Sequence, residues 1–294
     1  MSGSDSIEEL IQKGIVAGDV DMNEENAIWC SHSSDKVDIA QVLMKLVRQQ
    51  FPLSSTGNDL RALSIGCGSE PQFQILESAF RGGLYLLDID PHPLSIIKTN
   101  IKNLSINHVQ TVEADYTTTL LHAPDAKKFK KDVLKDHELD LIVLHHSLYY
   151  CSASVWEELF NTLSTILLSE RGAIHAVMMS SRCKENDSTT WLYNHFAGKY
   201  FGVHNDQDLK AFGEKLRNHN NFRNANIHQE THKVKFFIND FEKYMAVIWM
   251  ILLYPNVHNY SVEQKKEITE YIYENFFKYQ KSLIQEQDHL VITR

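Results

Sequence analysis

Apolar positions along this chain fall into short solid runs separated by stretches of helical spacing, as when strands alternate with helices. The first run, Ala62 to Ile65, breaks at Gly66-Cys67-Gly68. A helical segment with Phe73, Ile75, Leu76 and Phe80 follows, and a second run, Leu84 to Leu87, ends in Asp88-Ile89-Asp90. Pro93 to Leu104 reads as a helix with proline in its first turn, and Val109 to Glu113 as a third strand ending in Ala114-Asp115. Residues 117–137 form a polar helical crossing. Leu139 to Leu144 is apolar almost throughout, as a central parallel strand covered on both faces must be, and it runs into His145-His146-Ser147-Leu148-Tyr149-Tyr150. A helix from Ser154 to Leu168 and a strand from Ala173 to Met179 complete a fifth unit.

Around this core the pattern is looser. Residues 1–20 are small, polar and acidic and are expected to fray. Glu24 to Gln50 carries a helical period with Ile39, Val42, Leu43, Leu46 and Val47 on one face, and Pro52 to Asn58 is a turn-rich link. Residues 184–224 hold two short helical patterns, Ile227 to Phe237 alternates like an edge strand, Asn239 to Gln280 is helical, and His289 to Thr293 is a last short strand. The aromatic stripes over 184–280 are expected to be core.

Strand, glycine turn, helix, strand and acid make half of a nucleotide-binding α/β sheet, in which the backbone approaches the ligand where a Cβ would collide. A dinucleotide loop needs a third glycine where Pro71 stands; the G-x-G-x-G turn of S-adenosylmethionine enzymes needs one where Glu70 stands. Proline and glutamate beside a helix N-terminus suit a cationic or zwitterionic ligand better than a pyrophosphate, which seeks free N–H groups. The loop therefore favours adenosylmethionine. Asp88, first polar residue after the second run, is placed to hold ribose hydroxyls, with Asp90 capping the next helix. Asp115 is placed to receive the adenine amino group or to cap a turn, and Asp35, Ser33 or Ser34 can equally be an ordinary N-cap. Adjacent His145 and His146 diverge, and no metal-ligand set is read from the spacings.

Composition narrows the partners. The net charge of −9 over 294 residues, with no basic stripe, argues against nucleic acid. The four cysteines lack paired spacing, so a reducing, cytoplasmic setting is expected, and no apolar run approaches the ~20 residues that cross a bilayer. The chain is expected to be a monomer or weak homodimer acting on a small molecule.

These features resemble a class I S-adenosylmethionine-dependent methyltransferase, and more narrowly the histamine N-methyltransferase family. Leu63-Ser64-Ile65-Gly66 is similar to that family's loop, with serine where most relatives carry aspartate. Gln74-Ile75-Leu76, Leu148-Tyr149-Tyr150 and His32-Ser33-Ser34-Asp35 follow at matching places, the last resembling the family's amine-anchoring His-Ser-Thr-Glu. His146 stands where the family has glutamine, and the family's late asparagine has no clear match among Gln285, Glu286, Gln287 and Asp288. No Asn-Pro-Pro-aromatic motif of nucleic-acid base methylation follows the fourth strand.

The resemblance implies a Rossmann-like α/β fold with a seven-stranded methyltransferase sheet, an N-terminal helical lid over residues 1–58, a cofactor-binding core over 59–180, and a C-terminal helical insertion with final strands over 181–294, all one domain. It implies S-adenosylmethionine as cofactor and S-adenosylhomocysteine as product, and methyl transfer to an amine or imidazole nitrogen. Oxygen or a protein side chain is the alternative acceptor, with a dehydrogenase or a silent binding module behind it. Ser64, Gly66, Cys67, Gly68, Asp88, Ile89, Asp115, Tyr116 and His145 are the candidate cofactor residues. His146 is the candidate base and Asp35 the candidate anchor for a cationic acceptor, with Trp29, Tyr149, Tyr150 and Trp191 as walls.

Overall fold

The runs that are apolar on both faces build the centre of a sheet. A computed structural model describes residues 6–19, 21–51, 59–253 and 258–294, so the link expected over Pro52 to Asn58 lies outside the described residues. In chain order the elements are helices α1 (Ile7–Val16), α2 (Met22–His32) and α3 (Asp35–Gln50), then β1 (Arg61–Ile65), α4 (Phe73–Ala79), β2 (Gly83–Asp88), α5 (Pro91–Asn103) and β3 (Val109–Glu113). Short α6 (Tyr116–Thr119) and α7 (Ala123–Asp132) lead to β4 (Leu139–His145), α8 (Trp156–Thr162) and β5 (Leu168–Met179). The remainder is α9 (Thr189–Phe201), α10 (Leu209–Arg217), β6 (Asn226–Phe236), α11 (Phe241–Leu253), α12 (Val262–Asn275) and β7 (Leu283–Thr293).

The seven strands lie in the order β3-β2-β1-β4-β5-β7-β6. β1 pairs parallel with both β2 and β4, β2 with β3 and β4 with β5. The order reverses between β1 and β4, and ligands of open α/β sheets bind beyond the carboxyl ends of the strands at such a reversal. β6 lies at one edge and β3 at the other, and the alternating pattern of β6 fits an edge or near-edge position.

The chain separates into two compact units. One comprises Met1–Lys36, Met179–Asp206 and Lys233–Glu286; the other comprises Val37–Met178, Gln207–His232 and Gln287–Arg294. The second unit holds the sheet centre. On one sheet face Val42, Leu43 and Leu46 of α3 pack with Ala62, Leu84, Leu86 and Val143. On the opposite face Leu63, Leu87, Ile142, Leu144 and Ile174 pack with Phe129, Trp156 and Phe160. α3 is thus a flanking layer of the sheet and not a lid over the strand ends. The first unit has its own aromatic core, in which Phe236, Tyr244, Trp249 and Phe276 are buried.

Several expected boundaries move, each for a local reason. Residues 6–19 do not fray: α1 opens with a capping box between Ser6 and Glu9, and the Trp249 indole N–H donates to the Gly14 carbonyl at 2.8 Å. Its inward face is Leu10, Ile11, Gly14 and Ile15, a helical spacing that the acidic and small residues around it obscure. The helix expected over 24–50 is two helices, broken at Ser33, where the backbone is extended and bridges to Phe236. α5 begins at Pro91, not Pro93, because Asp90 is its N-cap. The polar crossing is divided between α6 and α7. β5 starts at Leu168 because polar residues 169–172 form an irregularity between the Leu139–Leu168 and Leu141–Ala173 pairs. β7 starts at Leu283, its inward face carrying Gln285 and Gln287 where an apolar period would be sought.

Leu43 has no exposed surface, whereas Gln49 lies on the solvent side of α3. Leu43→Ala should destabilise the chain by about 2–5 kcal/mol, and Gln49→Ala by less than about 0.5 kcal/mol. Urea midpoints check the contrast.

Candidate cofactor cleft and strand-tip site

The turn after β1 is held by the end of β2. Gly66 and Cys67 both donate their backbone N–H to the Leu87 carbonyl, at 2.8 and 3.1 Å. Gly68 N–H donates to Asp88 Oδ2 at 2.7 Å, and Asp90 N–H donates to Oδ1 of the same carboxylate at 2.9 Å. Asp88 therefore ties the glycine turn to the next loop, and a carboxylate with about four acceptor sites keeps capacity for ligand hydroxyls. Asp90 caps α5 by accepting from His92 N–H at 2.8 Å.

Both glycines have positive φ, +64° at Gly66 and +48° at Gly68. Their surroundings differ. A Cβ on Gly66 would lie 2.5 Å from Ser147 Cβ, so the turn presses directly on the residues following β4. A Cβ on Gly68 would meet nothing within 4 Å. The turn is therefore packed on one side and open on the other, which fits a ligand laid against the backbone.

Glu70 departs from its expected place. It is buried, not presented to a ligand: Ser64 Oγ donates to its Oε2, and Gln72 N–H donates to its Oε1 at 3.0 Å. A carboxylate delivered from six residues downstream thus sits beside Ser64 of β1. Burial pushes the Glu70 carboxyl up to about 7, against the lowering effect of those two hydrogen bonds. Cys67 is also buried, and burial raises its thiol pKa.

At the next strand tips Ile89 is 67% exposed, and Asp115 caps α6, its Oδ1 accepting from Thr117 N–H at 2.8 Å and from Thr117 Oγ1 at 2.7 Å. The Tyr116 hydroxyl donates to the Ser147 carbonyl at 2.9 Å, fastening this segment to the tip of β4. Ser147 has a buried hydroxyl without a hydrogen-bond partner among the described residues. Its position one residue beyond the two histidines is the only sequence signal that marks it.

His145 and His146 diverge, as adjacent residues at a strand end do. His145 Nε2 lies 3.1 Å from His175 Nδ1. His146 takes φ +56°, unusual for a non-glycine residue, and its Nδ1 lies 3.2 Å from the Tyr149 hydroxyl, the rings stacked at 6.0 Å. Tyr150 is half exposed beside them, at 51%.

The second unit thus holds Ser64, the glycine turn, Asp88, Ile89, Asp115, Tyr116, His145, His146, Tyr149 and Tyr150. Trp29, Asp35 and Trp191 belong to the first unit. Trp29 is buried and stacks on Phe236 at 5.5 Å, Trp191 stacks on His195 at 4.5 Å, and Asp35 is the buried first residue of α3, its N–H donating to Ser33 Oγ at 3.3 Å. Of the expected caps, Ser33 supplies an oxygen to the first N–H of α3.

No protein family model and no curated protein matches the chain in sequence. Solved structures match its fold. A cyclopropane-fatty-acyl-phospholipid synthase-like protein from Lactobacillus casei superposes with TM-score 0.53 at 12% identity, over 99% of this chain and 94% of that one. The YcgJ protein from Bacillus subtilis gives 0.52 at 11% identity, over 86% and 96%. A structure described provisionally as a sarcosine dimethylglycine methyltransferase from Galdieria sulphuraria gives 0.50 at 10% identity, over 87% and 84%. The fold is the Rossmann-like methyltransferase fold.

Two outcomes follow from the turn. Gly66→Ala should lose about 2–5 kcal/mol, combining left-handed strain with overpacking against Ser147, while Gly68→Ala should lose only the strain of about 1–2 kcal/mol; equal losses in denaturation would contradict the packing described. Glu70 binds its proton more tightly folded than unfolded. Its contribution is therefore complete below the ordinary carboxyl value of 4.5 and is lost as pH rises through about 7. Glu70→Gln should flatten stability against pH across that window, read from urea midpoints at successive pH values.

Proposed function

We propose that the chain transfers a methyl group from S-adenosylmethionine to a small-molecule nitrogen acceptor of amine or imidazole type. The observation that carries the cofactor half is the glycine turn: closed against Ser147, open at Gly68, and bound to Asp88 at the strand reversal. The neighbours' methyltransferase fold supports the same reading.

In this reading Asp88 accepts from ribose hydroxyls, Gly66 to Gly68 line the amino-acid portion, and Asp115 with Tyr116 bounds the base. When bound, the cofactor supplies a methyl carbon on a sulfonium, an electrophile already activated. The chain's task is alignment, and placement alone can lower the barrier by about 7–11 kcal/mol. The acceptor half of the proposal rests on the tip of β4. With Nδ1–H of His146 donating to the Tyr149 hydroxyl, Nε2 carries the lone pair, so the imidazole can take the proton that a nitrogen acceptor gives up. Tyr149 then orients the ring of the base.

S-adenosylhomocysteine should raise the melting temperature and NAD should not; stabilisation by NAD alone would overturn the cofactor assignment. Asp88→Ala should weaken cofactor binding about 10- to 100-fold, matching about 1.5–3 kcal/mol for hydrogen bonds to a charged group. Asp90→Ala should leave that affinity near wild type while removing a cap worth about 0.5–2 kcal/mol. Calorimetric titration separates the two aspartates. For an acceptor found with labelled methyl donor, His146→Ala should lower kcat at least about 10-fold with cofactor affinity kept; an unchanged kcat would reduce His146 to a wall.

A further inference from the structure

Four neighbouring strands, β4, β5, β7 and β6, carry His145, His175, His289 and His232, all four in the second unit. His145 Nε2 is 3.1 Å from His175 Nδ1, and His175 Nε2 is 3.1 Å from His289 Nδ1. His289 Nε2 is 2.9 Å from Oδ2 of Asp38, which stands on α3 one turn before Val42. His232 reaches the other oxygen, its Nδ1 2.6 Å from Oδ1, and Gln287 Nε2 donates to Oδ2. One ligand atom from each of Asp38, His232 and His289 falls within 4.8 Å of the others.

The chemistry of this cluster suits a cation. Two imidazoles and one carboxylate are the donor set of many catalytic zinc and non-haem iron sites, where a remaining position stays open. Ligation needs a deprotonated acid and a neutral imidazole. Burial pushes the Asp38 carboxyl up, but hydrogen bonds from His289, Gln287 and His232 outweigh it and hold the group below its ordinary value. His175 is fully buried and stands directly behind His289, its Nε2 against the far nitrogen of that ring. An orienting partner on the far nitrogen is what a ligating histidine usually has. Exposure is graded: the side chain of His289 is 0% exposed, that of Asp38 15% and that of His232 30%, which leaves a wet side for entry. On that side His232 Nε2 faces Glu230 Oε2 at 3.5 Å, so Nδ1 is the nitrogen aimed at the cluster.

We propose that Asp38, His232 and His289 form a site for one divalent transition-metal ion of the zinc or ferrous class, with an open coordination position on the His232 side. His175 is its positioning residue, and the site does not depend on the methyl-transfer reading.

The test uses the full-length chain, stripped with a chelator and titrated with Co(II), then competed with Zn(II). One equivalent of Co(II) should give visible d–d absorption that Zn(II) abolishes, and Zn(II) should raise the melting temperature. His232→Ala, at a half-buried edge-strand position, should lower metal affinity at least 10-fold, as should Asp38→Asn. His175→Gln should lower it about 10- to 100-fold with the d–d bands shifted but present. His228→Ala, at a more exposed histidine of the same strand outside the cluster, should bind as wild type does. Absence of d–d absorption in wild type would leave only a hydrogen-bond cluster and overturn the site. So would wild-type affinity in His232→Ala, or a loss confined to His228→Ala.

Discussion

The carboxylate of Asp88 is the joint on which the open edge of the sheet depends. One oxygen takes the N–H of Gly68 and the other that of Asp90, so β2 holds the glycine turn on one side and the start of α5 on the other. Hydrogen bonds to a charged group are worth about 1.5–3 kcal/mol each, enough to hold a turn whose two glycines both sit at positive φ. Gly66 is then pressed on Ser147, and Ser147 is fastened by its carbonyl to Tyr116. Turn, β4 tip and the segment after β3 form one hydrogen-bonded and packed rim.

Most of the sheet was legible in the sequence because its strands are apolar on both faces. β1, β2 and β4 are short unbroken runs, and nothing in them competes with a strand assignment. The glycine turn and the acids at 88 and 90 were equally readable, since their roles follow from position relative to those strands. What was hidden lies where buried faces are polar or small. Gln285 and Gln287 mask the first half of β7, residues 169–172 mask the start of β5, and small or acidic neighbours mask the inward face that Leu10, Ile11, Gly14 and Ile15 give α1.

The same reason explains what could not be seen of the sites. The acid beside Ser64 comes from Glu70, six residues on, and a pattern that looks for it on the strand itself finds a serine. Asp38, His232 and His289 have no shared spacing, because β6, β7 and α3 meet only in three dimensions. A buried polar group left unpartnered costs several kcal/mol. Such groups therefore survive in pairs and rows, and a row assembled from four strands has no linear signature.

That row also has a direction. A carboxylate only accepts, so His289 must present its Nε2–H to Asp38 and receive at Nδ1; His175 must do the same toward His289, and His145 toward His175. One acid on a helix thereby decides which nitrogen of His145 carries hydrogen at the tip of β4. A cation taking Nε2 of His289 would reverse every link: the His289 proton would leave to solvent, each Nε2 hydrogen behind it would pass to the Nδ1 of the next ring, and His145 would take a proton from solvent at Nδ1. The row would then carry a binary state by tautomer alone, from α3 to the ring of His145 at the tip of β4.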